Sequence, residues 1–260
     1  MNRRIHFASF GSRPHYLRLS KQTLRELGHV YPEAYIWPLT LRDLGYEAAQ
    51  LKAYARQYPR GYGYWRWKPV VVDFMFNSVT EGDVVIYVDG RFGVPKCRIP
   101  WIDEFVGNED CDFVAWQMEG FPERAWTTGD LLAHFGFDIN SPEAMSDQFA
   151  GGILGFRKNR ATAHAIANWR QTVEDSPELC REERSRRPNA AEFQENRFDQ
   201  SALSLTLKKH STRALTLKVL RGDDFAGDCA LTPQAKQHPR RIHGTEPFFR
   251  VGKEFRKLLT

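Results

Sequence analysis

The sequence contains few cysteines and no long apolar run, and each shortage excludes a class of protein. Its four cysteines in 260 residues show neither C-x-x-C spacing nor paired clustering, which argues against a zinc site and a disulfide framework. No apolar run is long enough to cross a bilayer, and the apolar part of MNRRIHFASFGS is too short and too polar for a signal peptide. We therefore expect a globular protein of a reducing compartment, the cytoplasm, rather than a secreted or membrane-spanning one.

Internal repeats and low-complexity tracts are also missing, so no linker divides the chain. The hydrophobic content of 42% is enough for one large core or two small ones. We predict a single domain over residues 1–260. Segment 174–196 is charged and poor in large aliphatic residues, which indicates either a mobile insertion or a solvated pair of helices.

Positive charge is in excess, with a formal net charge of +5. This balance favours anionic partners, among them nucleotide phosphates, nucleic acid and the inner leaflet of a membrane, and it equally fits a basic surface that only aids solubility. Basic residues gather in a C-terminal segment, 236–260. The sign of the charge alone does not choose among these alternatives.

Strand-like and helix-like segments alternate along the chain, which predicts an α/β fold with a mainly parallel sheet and helices on both faces. The predicted strands cover residues 4–10, 29–37, 82–88, 111–118, 149–157 and 214–220. The predicted helices cover about 16–27, 48–58, 70–79, 130–135, 161–173 and 199–209.

The apolar run GDVVIYV is followed by DGRF, which places Asp89 directly after a buried strand. Ligands of open α/β sheets bind beyond the carboxyl ends of the strands. A carboxylate there holds a divalent metal, accepts a hydrogen bond from a ribose hydroxyl, or caps the next helix. Asp110 and Asp112 form a formal D-x-D pair, but they precede a predicted strand and therefore belong to the opposite edge of the sheet.

The segment GYGYWRWKPVVVDFMFNSVTEGDVVIYVDGRF resembles part of the bacterial GT-A-fold glycosyltransferases that make surface polysaccharides such as capsule and O-antigen. Later blocks resemble the same group in the same order, namely ERAWTTGD, QFAGGILGFRKN and RFDQSALSLTLKKH. Each block is weak alone, and together they extend over about residues 61–210. The resemblance implies a Rossmann-like, mainly parallel mixed sheet and a nucleotide-sugar-dependent glycosyltransferase, with a hexose as the expected sugar.

The implied reaction needs positive charge beside a departing diphosphate. Enzymes of this group usually supply it with Mn²⁺ or Mg²⁺ held by a D-x-D pair, and Asp89 matches the first member of that pair. Arg91 replaces the second, so either Asp89 holds a metal with water and phosphate oxygens, or Arg91 itself neutralises the diphosphate. His243 faintly resembles the metal-binding histidine of glycogenin-like transferases and is otherwise a surface histidine.

The same resemblance implies further donor-binding and catalytic residues. The candidate catalytic residues are Asp199, Gln200, Glu123 and Asp130. Candidates for binding the nucleotide sugar are Ser9, Gly11, Ser12, Tyr64, Trp67, Lys68, Asp89, Arg91, Gly151 and Gly152. Structural alternatives remain for several of them, since Asp199 is a natural helix cap, Trp67 a core anchor and Lys68 a solvated lysine.

The expected partners are a nucleotide-sugar donor, in the first place a UDP-sugar, and a saccharide or lipid-linked saccharide acceptor. The basic C-terminal segment fits peripheral association with the inner face of the cell membrane, where such acceptors are held. Two other hypotheses are a nucleic-acid-binding module, suggested by the aromatic and basic run GYGYWRWK, and an inactive scaffold. Nucleic-acid binding leaves Asp89, Asp199 and the ordered blocks unexplained, so we expect no nucleic acid.

Overall fold

The computed structural model describes residues 4–181, 185–210, 214–219 and 232–233. The strands in this part of the chain are β1 (Ile5–Phe10), β2 (Tyr35–Leu39), β3 (Val84–Val88), β4 (Phe92–Gly93), β5 (Phe113–Pro122), β6 (Asp147–Arg157), β7 (Ala214–Val219) and β8 (Thr232–Pro233). β4 and β8 pair as a short ribbon. The other six form the central sheet in the order β2-β1-β3-β6-β5-β7.

Helices connect most of these strands. They are α1 (Pro14–Val30), α2 (Glu47–Gln57), α3 (Gly61–Tyr64), α4 (Trp67–Ser78), α5 (Pro100–Gly107), α6 (Gly129–His134), α7 (Pro142–Met145), α8 (Arg160–Asp175) and α9 (Asp199–His210). Two 3-10 turns, Glu123–Ala125 and Pro177–Cys180, complete the regular structure. The predicted strand at 29–37 was wrong in its first half, because α1 continues to Val30 and β2 begins only at Tyr35.

All strands of the central sheet except β6 run in one direction. β1 pairs in parallel with β2 and with β3, and β7 pairs in parallel with β5. β6 is antiparallel to both of its neighbours, β3 and β5. This architecture confirms the predicted fold class, an α/β fold with a Rossmann-like, mainly parallel mixed sheet flanked by helices, and it is consistent with the GT-A fold.

The order of the strands reverses at β1. The chain passes from β1 to β2 at the edge of the sheet and then returns to β3 on the other side of β1. In open α/β sheets such a reversal opens a crevice beyond the carboxyl ends of the two strands, where ligands bind. Here the residues that follow Phe10 and Val88 border that crevice.

Apolar side chains cover both faces of the sheet. In β3, Val84, Ile86 and Val88 face α1 and α5, whereas Val85 and Tyr87 face α4, α8 and α9. This alternation is the period of a strand, and it leaves the next residue on the second face, Asp89, beyond the apolar core. Asp89 therefore emerges at the end of the sheet where α4 and α9 begin.

The predicted insertion at 174–196 does not form a pair of helices in its described residues. α8 ends at Asp175, a short 3-10 turn follows, and residues 185–196 are irregular. The mobility of this segment stays a prediction. The basic segment 236–260 and His243 lie outside the described residues. None of the helices in the described ranges combines the length and the apolar character that a bilayer crossing requires.

Candidate active site

The chain enters α4 through a left-handed turn, which consists of the short segment α3 and Trp65 and is not a regular helix. Each of residues 61–65 has a positive φ, between 50° and 89°. Tyr62, Tyr64 and Trp65 are not glycines, and an ordinary L-residue loses about 1–2 kcal/mol in this conformation. Backbone strain of this kind collects at functional sites.

Aromatic stacking holds this turn against the start of α9. The rings of Tyr64 and Trp65 stack on Phe198, with centroid distances of 5.0 and 5.5 Å. The Arg60 guanidinium lies 4.6 Å from the centre of the same ring. Phe198 itself has a φ of 55° and directly precedes Asp199. The turn therefore joins the N-terminal ends of α4 and α9.

Lys68, on the first turn of α4, is a buried cation. Its Nζ donates a 2.8 Å hydrogen bond to the carbonyl oxygen of Gly151 and lies 3.3 and 3.4 Å from the two carboxylate oxygens of Asp89. A buried ammonium group needs such partners, because desolvation disfavours its charge. Lys68 is thus fixed beneath Asp89 and is not the solvated lysine of the structural alternative.

The Asp89 carboxylate is held by two hydrogen-bond donors and by an ion pair with a second cation. The Tyr87 hydroxyl donates to its Oδ1 at 2.8 Å, Lys68 contacts both oxygens, and Arg91 Nη2 lies 3.7 Å from its Oδ2. The backbone N–H of Asp89 donates to the carbonyl oxygen of Gly152 at 2.8 Å. These contacts orient the carboxylate at the mouth of the crevice, with about one fifth of the side chain exposed.

Asp199 lies in the same cluster, at the start of α9. It is buried, and its Oδ2 has no hydrogen-bond partner among the described residues. Burial raises the pKa of Asp199 to about 7, an effect that nearby Lys68 opposes and nearby Asp89 adds to. Burial and the neighbouring carboxylates also raise the pKa of Tyr87, which is therefore a neutral donor. The site places one carboxyl group that titrates near neutral pH beside one that is ion-paired.

Gln200 connects this cluster to a second, buried network. Its Oε1 accepts a 3.2 Å hydrogen bond from the backbone N–H of Gly151, and its Nε2 donates to Gln148 Oε1 at 2.7 Å. Gln148 in turn donates to Glu123 Oε1 at 2.7 Å. Gln148 orients the side-chain amide of Gln200, and Glu123 in turn orients Gln148. The position of Gln200 therefore depends on Glu123.

Glu123 was predicted to be catalytic, and its surroundings argue against that role. The side chain is completely buried. Its carboxylate accepts hydrogen bonds from Thr127 at 2.6 Å, Gln148 at 2.7 Å, Lys208 at 2.8 Å and Ser204. A carboxylate with four donors and no exposure has no oxygen left for a substrate. We assign Glu123 a structural role.

Asp130, the other acidic residue of that block, holds the predicted insertion. Its carboxylate accepts backbone hydrogen bonds from Arg186 at 2.7 Å and Arg187 at 2.9 Å. Although desolvation acts in the other direction, these bonds hold the pKa of Asp130 below its ordinary value. Its contacts explain Asp130 as an anchor for the segment at 185–187 rather than as a catalytic base.

The residues at the end of β1 occupy different surroundings. Ser9 is completely buried, and the alternation of β1 places it on the face of Phe7, opposite to the face of Asp89. Its surroundings do not support a contact with a ligand of the crevice, and its role in binding the nucleotide sugar stays a prediction. Gly11 is required by packing, since an added Cβ would lie 2.4 Å from the Leu17 backbone. Ser12 is partly exposed at the crevice.

Of the two aromatic candidates, only one keeps some exposure. Trp67 is buried and stacks on Phe10 with a centroid distance of 4.6 Å, so it is a core residue and not a platform for a base. Tyr64 is partly exposed beside Phe198. The inward stacking of these rings also weakens the nucleic-acid hypothesis, which needs open aromatic faces.

The two glycines of β6 are placed for different reasons. An added Cβ on Gly151 would lie 3.5 Å from Gln200, in ordinary contact, whereas one on Gly152 would lie 3.0 Å from the Phe92 ring and 3.2 Å from Arg91 Nη2. Gly152 therefore leaves the space in which the Arg91 guanidinium lies.

Sequence reasoning missed Tyr87, Gln148 and Phe198 as parts of this site. Tyr87 was detectable, because residues two apart in a strand share a face and a hydroxyl there reaches the carboxylate of Asp89. Gln148 lies in a block that resembles glycosyltransferases but carries no charge to mark it. The left-handed conformation of Phe198 has no signal in the sequence.

The donor set around Asp89 does not fit a divalent metal. In the described ranges, no three His, Cys, Asp or Glu side chains are grouped so that they could hold a metal ion. Asp89 itself is engaged by Lys68 and Arg91, two cations that a divalent ion would meet at close range. The predicted second ligand, His243, lies outside the described residues.

No family model matches the chain, and no curated protein matches it significantly. Among solved structures with a similar backbone is a glycosyltransferase involved in the glycosylation of the major capsid of PBCV-1, with 10% identity, a TM-score of 0.39 and coverage of 97% of this chain and 99% of the other. Another is glucosyl-3-phosphoglycerate synthase from Mycobacterium tuberculosis in complex with Mn²⁺, UDP and glucosyl-3-phosphoglycerate, with 10% identity, a TM-score of 0.36 and coverage of 99% and 78%. At this level of similarity neither structure assigns an activity to this chain.

Proposed function

We propose that this protein transfers a sugar from a nucleotide-sugar donor to a hydroxyl group of an acceptor. The observation that carries the proposal is the cluster of Asp89, Asp199, Lys68 and Arg91 beside the crevice between β1 and β3. These four residues come from two separate sequence blocks that resemble blocks of the GT-A glycosyltransferases, since Lys68, Asp89 and Arg91 lie in the first block and Asp199 in the last. Their convergence in space supports a common function for the blocks.

Sugar transfer breaks the bond between the anomeric carbon and a phosphate oxygen, and the departing diphosphate takes the electron pair. Arg91 is about one-third exposed at the mouth of the cluster and is the cation placed to face that charge. Lys68 is buried behind Asp89, with its Nζ bonded to Gly151. Its role is therefore to hold Asp89 in position, rather than to contact a phosphate as the sequence suggested.

In the same reaction the acceptor hydroxyl forms the new bond to the anomeric carbon and loses its proton. We assign that proton to Asp199, because its pKa of about 7 lets the carboxylate take up a proton near neutral pH. Gln200, the next residue, is fixed by Gly151 and Gln148 and keeps this end of α9 in place. The arrangement separates a group that takes up a proton, Asp199, from a group that faces the phosphates, Arg91.

We further infer a UDP-hexose donor and a saccharide or lipid-linked saccharide acceptor, in the synthesis of a surface polysaccharide or glycoconjugate. The sequence resemblance supports the donor and acceptor classes. The basic segment 236–260 supports a place at the cytoplasmic face of the membrane, where electrostatic attraction to anionic lipids acts.

The proposal is tested by incubating the protein with a panel of nucleotide sugars and measuring the release of the nucleoside diphosphate, with and without saccharide acceptors. We expect turnover with at least one donor, and a large loss of turnover in Asp89→Asn. Asp110→Asn is the matched control, since Asp110 is an exposed carboxylate of the formal D-x-D at the opposite edge of the sheet. Turnover with no donor would contradict the proposal and favour an inactive scaffold.

A further inference from the structure

Position 91 carries an arginine where the implied metal site of a GT-A glycosyltransferase has its second aspartate. We propose that Arg91 neutralises the diphosphate of the donor directly and that the site works without a divalent metal. This inference rests on the proposed function, and it names the group that contacts the phosphates. The geometry of the guanidinium, the charge of the site and the chemistry of arginine each support it.

The Arg91 guanidinium is held at the mouth of the crevice from several sides. Its Nη2 lies 3.7 Å from Asp89 Oδ2, and its central carbon lies 5.3 Å from the centre of the Phe92 ring. The absence of a side chain at Gly152 leaves room for Nη2, because a Cβ there would lie 3.2 Å from it. Three separate features of the chain thus place this cation beside Asp89 at the mouth of the crevice.

The charge of the cluster is already balanced. Lys68 and Arg91 carry two positive charges, which match the two negative charges of Asp89 and ionised Asp199. An aspartate at position 91 would instead leave the cluster with a net negative charge, and a divalent cation would neutralise it. With arginine at that position, a divalent cation would be repelled by two positive side chains, Lys68 and Arg91. A diphosphate would instead be attracted by Arg91.

Arginine suits this ligand class in particular. Its planar guanidinium donates two parallel hydrogen bonds to phosphate oxygens, a geometry that the ammonium group of a lysine does not offer. Asp89 then acts as a positioning residue that holds Arg91 and Lys68, instead of acting as a metal ligand. The ligand recognised is a nucleoside diphosphate, free or as part of a nucleotide sugar.

Isothermal titration calorimetry of UDP and of GDP, in buffer with EDTA and in buffer with Mn²⁺, tests the inference without an activity assay. We expect the nucleoside diphosphate that binds to do so with dissociation constants within about threefold of each other in the two buffers. Arg91→Ala should weaken binding by about 10- to 100-fold. Arg91→Lys should weaken it less, since the charge is kept and the paired hydrogen bonds are lost.

Two further variants sharpen the experiment. Arg25→Ala, which removes an exposed arginine in the second half of α1, should bind as the unaltered protein does. Arg91→Asp restores the D-x-D pair and should bind the nucleoside diphosphate only when Mn²⁺ is present. Thermal melting of each variant checks folding, and Arg91→Lys carries the test if Arg91→Ala does not fold.

The outcomes separate this inference from the proposed function. Binding that requires Mn²⁺, or binding that Arg91→Ala and Arg91→Lys leave unchanged, overturns the metal-free site while the transferase proposal stands. Binding of neither diphosphate in either buffer, by a protein that is folded, overturns the proposed function and this inference with it. The inference is supported if the nucleoside diphosphate binds equally well with and without Mn²⁺, and if its affinity falls in Arg91→Ala and Arg91→Lys but not in Arg25→Ala.

Discussion

At the scale of single residues, burial does not decide what a carboxylate does in this protein. Glu123 and Asp199 are both buried. Glu123 is surrounded by donors, including the ammonium group of Lys208, and these stabilise its charge. Asp199 has an oxygen without a hydrogen-bond partner in the described ranges, and its pKa is raised. We therefore expect opposite effects when the two residues are replaced. Loss of Glu123 should destabilise the protein, whereas loss of Asp199 should lower activity and stabilise the protein at alkaline pH.

Asp199→Asn removes the group to which we assign the acceptor proton. We expect kcat to fall by about 10²- to 10⁴-fold, which is the usual contribution of a general base. In the unaltered protein kcat should rise with pH through about 7, because the carboxylate must be deprotonated to act. The residual activity of the variant should not show this rise of kcat with pH. A pH profile of kcat for both proteins measures this, and a profile that is the same in the two would contradict the role of Asp199.

The same variant should be more stable than the unaltered protein at alkaline pH. A carboxyl group whose pKa rises from about 3.9 in the unfolded chain to about 7 in the folded one disfavours folding once it is ionised. Its favourable contribution is complete below the unfolded pKa and is lost as the pH rises through 7. We expect Asp199→Asn to gain on the order of 1–3 kcal/mol at pH 8 relative to pH 5. Urea denaturation at the two pH values checks this, and an equal difference at both would count against it.

Glu123→Ala should be strongly destabilising. It leaves the nearly buried ammonium group of Lys208 without its carboxylate partner, a change that costs about 3–5 kcal/mol for buried ion pairs. Glu81→Ala, which removes an exposed glutamate from a surface turn, should change the free energy of unfolding by less than about 0.5 kcal/mol. Urea denaturation measures both. If Glu123→Gln folded with unchanged stability and had no activity, this result would contradict the structural role and support a catalytic role for Glu123.

The candidate-site residues that the sequence indicated most clearly lie at the ends of strands and the starts of helices. Asp89 at the end of a strand and Asp199 at the start of a helix were found from the pattern, and the structure brings them together with Lys68. The sequence did not predict the surroundings of Ser9 and Trp67, because the pattern places a residue near an edge of the sheet without revealing which face it occupies. Ser9 turned out to face α1, and Trp67 the core.

At the scale of secondary structure, the left-handed turn at 61–65 connects the N-terminal ends of α4 and α9, which carry Lys68 and Asp199. Gly63→Ala tests it, with Gly82→Ala as the control. Both glycines have a positive φ, 89° and 86°, so each alanine carries a similar backbone strain of about 1 kcal/mol. An added Cβ at Gly63 would also lie 2.8 Å from the Tyr54 ring, whereas nothing lies within 4 Å at Gly82.

We expect Gly82→Ala to lose about 1 kcal/mol of stability and Gly63→Ala about 2–4 kcal/mol. Only Gly63→Ala should also lower the turnover of the folded protein, because the turn stacks on Phe198 beside Asp199. Denaturation and turnover measured on the same two samples compare the effects. Equal losses of turnover in both variants would show that the turn does not position the site.

Most elements of the fold were predictable because their apolar periods are clear. The direction of β6 was not, since a strand buried on both faces has the same composition whether it runs parallel or antiparallel to its neighbours. Its direction follows from the connections around it, which include the short helices α6 and α7. The left-handed turn was read only as an aromatic and glycine-containing loop, because three of its positive φ values belong to residues that rarely adopt them.

At the scale of the whole molecule, histidines that lose part of their solvation on folding oppose folding in acid. Burial lowers the pKa of His6, His134 and His210 below the ordinary value of 6.5. A histidine of this kind takes up its proton in the unfolded chain at a higher pH than in the folded one. Its contribution to stability is therefore complete above 6.5 and is lost as the pH falls toward its folded pKa.

His6 should account for a measurable part of this loss, because its neutral form is built into the sheet. The Trp37 indole N–H, which only donates, lies 3.2 Å from His6 Nδ1, so the ring proton is on Nε2, 3.2 Å from Asp83 Oδ2. Protonation of Nδ1 breaks the bond to Trp37 in the edge strand β2, while Asp83 favours the charged ring and nearby Arg4 disfavours it.

Between pH 6.5 and 5, we expect acid to lower the melting temperature more, or to raise it less, in the unaltered protein than in His6→Gln. His29→Gln, which removes an exposed histidine of α1, should keep the original slope. The slope is the quantity to compare, because His6→Gln also loses hydrogen bonds and so lowers the melting temperature at every pH. The raised pKa of Asp199 stabilises the protein as the pH falls through this range, and so it partly hides the effect of the histidines. Asp199→Asn removes this opposing contribution. The effect of His6→Gln on the slope of melting temperature against pH is therefore best measured in the Asp199→Asn variant. Parallel slopes with and without His6→Gln in that background would contradict the assignment to His6.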